Sequence, residues 1–231
     1  GTWLAAGNGL YTTVINVPHY TPLYPPQKPD GFYLKAVSST EVEFYVNPVQ
    51  FTENYIVYLS TNGYAFTQNF EFQSNKDTIR GLDENSLYYF KVAASNSSGA
   101  SSTTELLAVV TNEDENKVAI VNGFDRTSGT VNPGNYIIKH AGVMFQSGLS
   151  FNSASNEAVF TGIHPIQNYE IVNWFLGNES TANQTFNTTE QQVVINFLEG
   201  GGKFFVSGSE IGYDLVQNGT TASKDFYANY L

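Results

Sequence analysis

The side chains best suited to chemistry in this sequence follow short apolar runs in its second half. Asp125 and Arg126 come after Val118–Val121, Glu179 after Ile171–Gly177, and Ser209, Glu210 and Asp214 after Lys203–Gly208. Ser209, with His140 as base and Asp214 as orienting acid, would make a serine nucleophile, which requires all three within hydrogen-bond reach. The Gly-x-Ser-x-Gly elbow is absent, because Glu210 and Ile211 follow Ser209, and the competing reading of Ser209 is a helix cap. Glu179 and Glu210 would be the paired carboxylates of glycoside hydrolysis if one carried a raised pKa and their separation suited. Two carboxylates in a chain holding 21 acids are a thin signal. Asp125 and Arg126 suit an anionic or sugar ligand, and equally an ion pair that orders a loop. Taken together, Asp125, Arg126, Glu179, Glu210 and Asp214 form the candidate ligand-binding set, and Glu210, Ser209, His140 and Glu179 the weaker catalytic one. His19, His140 and His164 lack metal-ligand spacing and no Asp-rich loop matches the EF-hand pattern, so neither metal nor cofactor is expected.

Composition narrows the chemistry further. The chain has no cysteine, which removes disulfides, thiolate metal sites and cysteine nucleophiles, and is compatible with bacterial secretion. Ten basic against 21 acidic residues give a net charge of -11, which repels phosphate backbones and anionic membrane surfaces; nucleic acid is excluded as an expected partner. No apolar run approaches the roughly 18 residues that span a bilayer, so membrane insertion is not expected. Aromatic residues at 15% against 13% charged argue for β-rich folded structure. Five Asn-x-Ser/Thr triplets open at Asn96, Asn178, Asn183, Asn187 and Asn218; in a bacterial protein they are surface polarity.

The elements that must position these residues fall into three segments. Residues 1–27 carry no charged side chain before the linker's end. Asn8-Gly9 between two β-prone runs reads as a hairpin turn, and Pro18, Pro22, Pro25 and Pro26 as a stiff linker, so this segment is expected to be the tail of an upstream domain, itself a partner. Residues 28–112 hold seven short runs: 32–37, 41–46, 55–60, 66–72, 78–82, 87–94 and 105–110. Val42, Phe44 and Val46, like Tyr88, Phe90, Val92 and Ala94, alternate, which predicts strands with one buried and one wet face in a β-sandwich. The surface aromatics Tyr64, Phe66 and Phe70 would suit sugar stacking or the core. Asn112–Asn116 is a polar, acidic joint. Beyond it, residues 117–231 read as an α/β domain: Val118–Val121 as a strand buried on both faces, Ile171–Gly177 and Lys203–Gly208 as further parallel strands, and a helix opened by Asn187 with Glu190 in capping-box spacing and closed by Gly200–Gly202. A second helix is expected to begin at Pro133 and run through Ile137, Ala141 and Met144, with Gly148 near its end. In a parallel sheet, ligands gather beyond the carboxyl ends of strands, where the candidate residues fall and where His140 would join them. The last residues, 225–231, are still patterned, which suggests a sheet lacking strands.

Two resemblances attach to these residues. Gly81-Leu82, Tyr88 through Asn96 and Gly99 resemble the end of a fibronectin type III domain. Tyr88 matches the family's corner tyrosine, and Phe44 or Val46 would replace its missing early tryptophan. That resemblance implies a spacer or presentation role, and no Arg-Gly-Asp is present. Gly200 through Gly212 resembles the strand-to-helix elbow of class I glutamine amidotransferase-like folds, a flavodoxin-like arrangement in which Glu210 takes the place of the family's cysteine nucleophile. The longer stretch 121–126, 151–159, 174–180 and 205–215 is similar to modules that accompany fibronectin type III domains in secreted Bacteroidetes proteins of xanthan lyase-like or peptidoglycan amidase-like type. The resemblances imply an extracellular or cell-surface accessory region, spacing and attaching an upstream domain to polysaccharide or cell-wall glycan. The alternatives are a hydrolase or lyase working through the strand-end cluster, and a structural adhesion or surface-filament subunit.

Overall fold

The computed structural model describes residues 24–126, 135–181 and 184–231, and the backbone of 2–6 and 10–14. Thr2–Ala6 (β1) and Leu10–Val14 (β2) pair antiparallel, with Ala6 opposite Leu10; the expected Asn8-Gly9 turn, Pro18 and Pro22 lie outside the described residues. Tyr33–Ser38 (β3), Glu41–Tyr45 (β4), Asn54–Ser60 (β5), Gln68–Phe72 (β6), Lys76–Arg80 (β7), Leu87–Asn96 (β8), the short Gly99–Ala100 (β9) and Leu107–Val110 (β10) follow. They form a β-sandwich, with β10-β8-β5-β6 in one sheet and β3-β4-β7 in the other. Its core is the inward-facing half of each alternation: Phe44 and Val42 on β4, Val57 on β5, Phe90 and Val92 on β8. Tyr88 sits in this core, and its hydroxyl accepts the Asp83 N–H at 2.9 Å, closing the turn before β8. Phe44 and Val46 are both fully buried.

Val118–Asn122 (β11), Asn152–Ser155 (β12), Ile171–Gly177 (β13) and Lys203–Gly208 (β14) run parallel in the order β14-β13-β11-β12. Helices Tyr136–Gln146 (α1), Asn156–Phe160 (α2), Thr188–Glu199 (α3), Ile211–Tyr213 (α4) and Thr221–Tyr230 (α5) connect or follow them. The expected capping box of α3 is formed: Asn187 accepts from the Thr189 and Glu190 N–H groups while Glu190 accepts from the Asn187 N–H. Val194 and Phe197 of α3 and Phe226 of α5 pack with Trp174 and Val172 on one face of these strands. Residues 225–230 thus end the described chain as helix.

The parallel strands and one sheet of the sandwich form a single sheet. β12 pairs parallel with β11 on one side and antiparallel with β3 on the other, with Ser153 opposite Leu34 and Ala154 opposite Tyr33, so the sheet runs β14-β13-β11-β12-β3-β4-β7 through both halves. The side chains of β12 extend the pairing. Asn152 Oδ1 accepts from the Ala36 N–H and from Asn116, and its Nδ2 donates to Tyr169, whose hydroxyl meets His164 Nε2 at 2.8 Å. Ser153 exchanges hydrogen bonds with both the N–H and the carbonyl of Ala108 in the opposite sheet.

The expectation of a wet outer face fails on β8, and β10 beside it is covered in the same way. Tyr89, Ala108 and Val110 point out of the sandwich and are buried against Ile137 and Ala141 of α1, Ile120 of β11 and Phe175 of β13. The physical reason is that α1 is wedged between the sandwich and the parallel strands, and its apolar residues cover both. Gly63, in the sandwich loop after β5, takes φ +78° and lies so close to Ile138 of α1 that a Cβ there would sit 2.6 Å from it.

Asn152 should therefore control the stability of the whole unit. Asn152→Ala leaves the Ala36 N–H and the Asn116 amide without an acceptor, at a cost of about 2–4 kcal/mol, and urea unfolding followed by tryptophan fluorescence and by far-UV circular dichroism should shift together. Two separated transitions would show that the halves fold independently.

Candidate functional site

Where β11 ends, the backbone is shaped by close contacts. Asn122 Oδ1 accepts the Phe124 N–H at 3.1 Å, and the Gly123 N–H donates to Phe175 O at 2.9 Å. Gly123 lies against the Trp174 indole, where a Cβ would approach Nε1 to 2.2 Å, so only glycine fits. The next two N–H groups, of Asp125 and Arg126, both donate to Glu179 Oε2, at 2.7 and 2.9 Å. Glu179 is fully buried; its carboxylate braces the turn after β11 from the turn after β13.

A polar chain continues from there. Asn156, at the start of α2, donates through Nδ2 to Asp125 Oδ2 at 3.0 Å and to Glu190 Oε1 at 2.8 Å, linking the β11 turn to the first turn of α3. Among the described residues its Oδ1 is buried without a hydrogen-bond partner, as is Glu105 Oε1 on the sandwich side. Burial pushes the Glu190 carboxyl up to about 7, against the N–H of Asn187 and the amide of Asn156. Glu105 is raised to about 7, by burial first and then by the charge of Glu157, with Lys28 opposing. Asp125 is exposed over part of its surface, yet desolvation of its carboxyl and the neighbouring Glu157 raise it to about 6.

Of these groups Glu105 borders a cleft of about 510 Å³ between the sandwich and the carboxyl end of β11, lined also by Tyr64, Phe66, Lys28, Asn122 and Phe124 among others. A smaller hollow of about 130 Å³ shares Lys28, Glu105, Asn122 and Phe124 with it and reaches Asp125, Asn156 and Glu157. Among the described residues no group of three or more His, Asp or Glu side chains is arranged to hold a metal ion.

Of the residues singled out from the sequence, Asp125, Arg126 and Glu179 are brought together. Glu210 is exposed and accepts from the Ser180 hydroxyl, beside Glu179 in the chain but engaged elsewhere. It takes φ +62°, a left-handed conformation at the turn from β14 into α4. Asp214 Oδ2 accepts from both the N–H and the hydroxyl of Thr185 at 2.9 Å. His140 bonds Asn173 Oδ1 at 3.2 Å and stacks on Phe175, and burial lowers its pKa. Ser209 bonds through its N–H to Gly177 O. No hydrogen bond joins Ser209, His140 and Asp214 among the described residues. Phe70 packs on the sandwich core and Phe66 lies under the Lys91 ammonium at 4.2 Å, whereas Tyr64 is 69% exposed.

Lys28, Glu105, Asn122, Asn156, Glu157 and Glu190 were not singled out as site residues by sequence reasoning. Glu190 was readable only as a helix cap, and Glu105 and Lys28 belong to segments whose neighbours across the cleft are far away in the chain.

No family model and no curated protein matches this chain. Solved structures similar to it are fibronectin type III domains over about 40% of its length. They include the FN1–FN3 domains of chicken CNTN1, 21% identical, covering 38% of this chain and 33% of that one with a TM-score of 0.36. The sixth fibronectin type III domain of human fibronectin type III domain containing protein 3 is 17% identical, covering 41% and 93% with a TM-score of 0.35. The d3–d4 domains of the rat CD45 extracellular region are 15% identical, covering 48% and 75% with a TM-score of 0.34.

The raised carboxyls imply a pH dependence. Each binds its proton more tightly folded than unfolded, so its contribution is fully present below the ordinary carboxyl range and is lost as pH rises toward about 6 for Asp125 and about 7 for Glu105 and Glu190. His164, held down to about 4 by burial, acts oppositely: its contribution is lost as pH falls from 6.5 toward 4. Glu105→Gln should gain stability relative to the parent protein between about pH 4.5 and about pH 7.5, and Asp125→Asn should gain less, because solvent screens it. Urea midpoints at both pH values measure this; a constant difference would show that these carboxyls are ordinary.

Proposed function

We propose that this chain is a non-catalytic accessory unit of a secreted bacterial surface protein or enzyme, spacing a neighbouring domain at a fixed angle and attaching it to polysaccharide or cell-wall glycan. The observation that carries this reading is the seven-stranded sheet that runs through both halves, reinforced by the core that α1 shares with the sandwich. A spacer with a hinge leaves its cargo free to tumble, whereas one that is continuous in hydrogen bonding and packing transmits orientation.

The parallel half is read as an amidotransferase-like module of the Bacteroidetes type on the resemblance of residues 200–212. The left-handed backbone at Glu210 supports an elbow at that position, and a carboxylate there lacks the nucleophilicity of the thiolate it replaces. Glu179 and Asp214 support the non-catalytic reading because each already accepts two hydrogen bonds that hold loops in place.

The test is to incubate the chain with insoluble polysaccharides and with purified cell-wall sacculi. Retention on one of them without release of reducing ends or free amines is expected, and Glu210→Ala should leave retention unchanged. Release of soluble product that disappears in Glu210→Ala would instead establish a hydrolase or lyase.

A further inference from the structure

We infer that the free edge of β14 is a dimerisation surface, on which a second copy of this chain pairs antiparallel about a two-fold axis through Val206 and joins the two seven-stranded sheets. The surface shares no residue with the cleft and is independent of any glycan role.

β14 ends the sheet, and among the described residues no strand pairs with its outer side. The Lys203 and Ser209 N–H groups donate to Glu170 O and Gly177 O on the β13 side. Backbone groups alternate sides along a strand, so Phe204, Val206 and Gly208 turn their N–H and carbonyl groups outward. At the other end of the same sheet β7 carries Lys76, Asp77 and Arg80 within five residues, the usual guard against edge pairing. β14 has one charge, on Lys203, followed by Phe-Phe-Val-Ser-Gly. Its two faces also differ. Phe204 and Val206 pack on the α3 side with Trp174 and Phe186, whereas Phe205 on the α1 side is 58% exposed. It borders a hollow of about 290 Å³ with Met144 and the equally exposed Val143 of α1, a patch that lies beside an open row of backbone donors and acceptors.

A second copy matches this edge residue by residue. Two-fold pairing centred on Val206 sets Val206 against Val206 and Phe204 against Gly208 of the second copy. All are outward-facing, so three hydrogen-bonded pairs exchange about six N–H···O bonds. Phe205 then stands opposite the second copy's Ser207, which leaves room for the ring. The two Phe205 residues become diagonal neighbours on the α1 face, about 7–8 Å apart, within reach of aromatic contact. Lys203 is set against Ser209 and beside Glu210 of the second copy. Both charged side chains are exposed, and Lys203 has no ion pair among the described residues. Symmetry forms this opposite-charge pair twice, once at each end of the ladder. A parallel pairing would instead set Lys203 against Lys203. Because the antiparallel contact uses the same surface on both copies, it closes on itself and yields dimers, not filaments.

The experiment is sedimentation velocity of the full chain from about 5 to about 500 μM at about 0.15 M salt, where repulsion between the net charges of -11 is screened beyond about 8 Å. A reversible monomer–dimer equilibrium is expected. Phe205→Lys should weaken it by about a hundredfold or more, because it puts like charges across the axis. Val206→Pro should do the same by removing the central N–H, which an edge strand can spare; circular dichroism of both variants should match the parent. Lys203→Glu and Glu210→Lys should each weaken the dimer by about tenfold, since each change acts at both ends, and the double reversal should restore it. The reversals lie on exposed side chains and test the register even if neither edge variant folds. A monomer at every concentration would overturn the inference, as would a dimer indifferent to Phe205→Lys and Val206→Pro, single reversals that the double variant fails to rescue, or assembly that continues past the dimer.

Discussion

The rest of the structure depends on the insertion of β12 beside β3. A sandwich leaves its first strand with an open edge, and an open edge pairs with whatever strand is presented to it. Here the partner comes from the same chain, well over a hundred residues further on, and it is made of Asn152, Ser153, Ala154 and Ser155. The antiparallel register covers only two residue pairs. Side chains supply the rest: Asn152 offers its amide oxygen to the Ala36 N–H, and the Ser153 hydroxyl serves Ala108 of the other sheet as a strand's backbone would. Four small residues, three of them polar, thus close the gap between both sheets of the sandwich and begin a parallel sheet.

That closure has geometrical consequences. Once β12 is fixed, β11 must lie next to it and β13 beyond, which brings the parallel strands edge-on to the sandwich and leaves the outer face of β8 and β10 overhanging one side. α1 fills the overhang, and its Ile137 and Ala141 bury Tyr89 and Ala108. The cleft is what remains at the end of this seam, where the loop holding Tyr64 reaches over the end of β11. Its walls come from segments around residues 28, 64, 105 and 124, so neither half could form it alone.

The strands and caps that obey local rules were legible in the sequence. Alternation marked β4 and β8, a continuous apolar run marked β11, and Asn187 with Glu190 marked the start of α3. β12 was not legible, because Asn-Ser-Ala-Ser has no apolar period and low strand propensity; it is a strand only because its polar side chains find buried partners on both sides. The same blindness hid the site. Proximity of Asp125, Arg126 and Glu179 followed from the rule about strand ends, but Glu105 and Lys28 enter the cleft through the sheet junction, which no local pattern encodes. Exposure of the outer face of β8 was misjudged for that reason too, since alternation reports which residues share a face and says nothing of what covers the other.

Glu179 and Asp214 are each met by two donors of neighbouring loops and so pin those loops to one another. Burial holds the Glu105, Asp125 and Glu190 carboxyls above the ordinary range, Glu190 even though it accepts from the Asn187 N–H and the Asn156 amide. The seam carries these acids within one unit: Asn156 ties the turn after β11 to the first turn of α3, and the sheet to which β11 belongs runs on into the sandwich, so their protonation is felt by the stability of the whole rather than of one half.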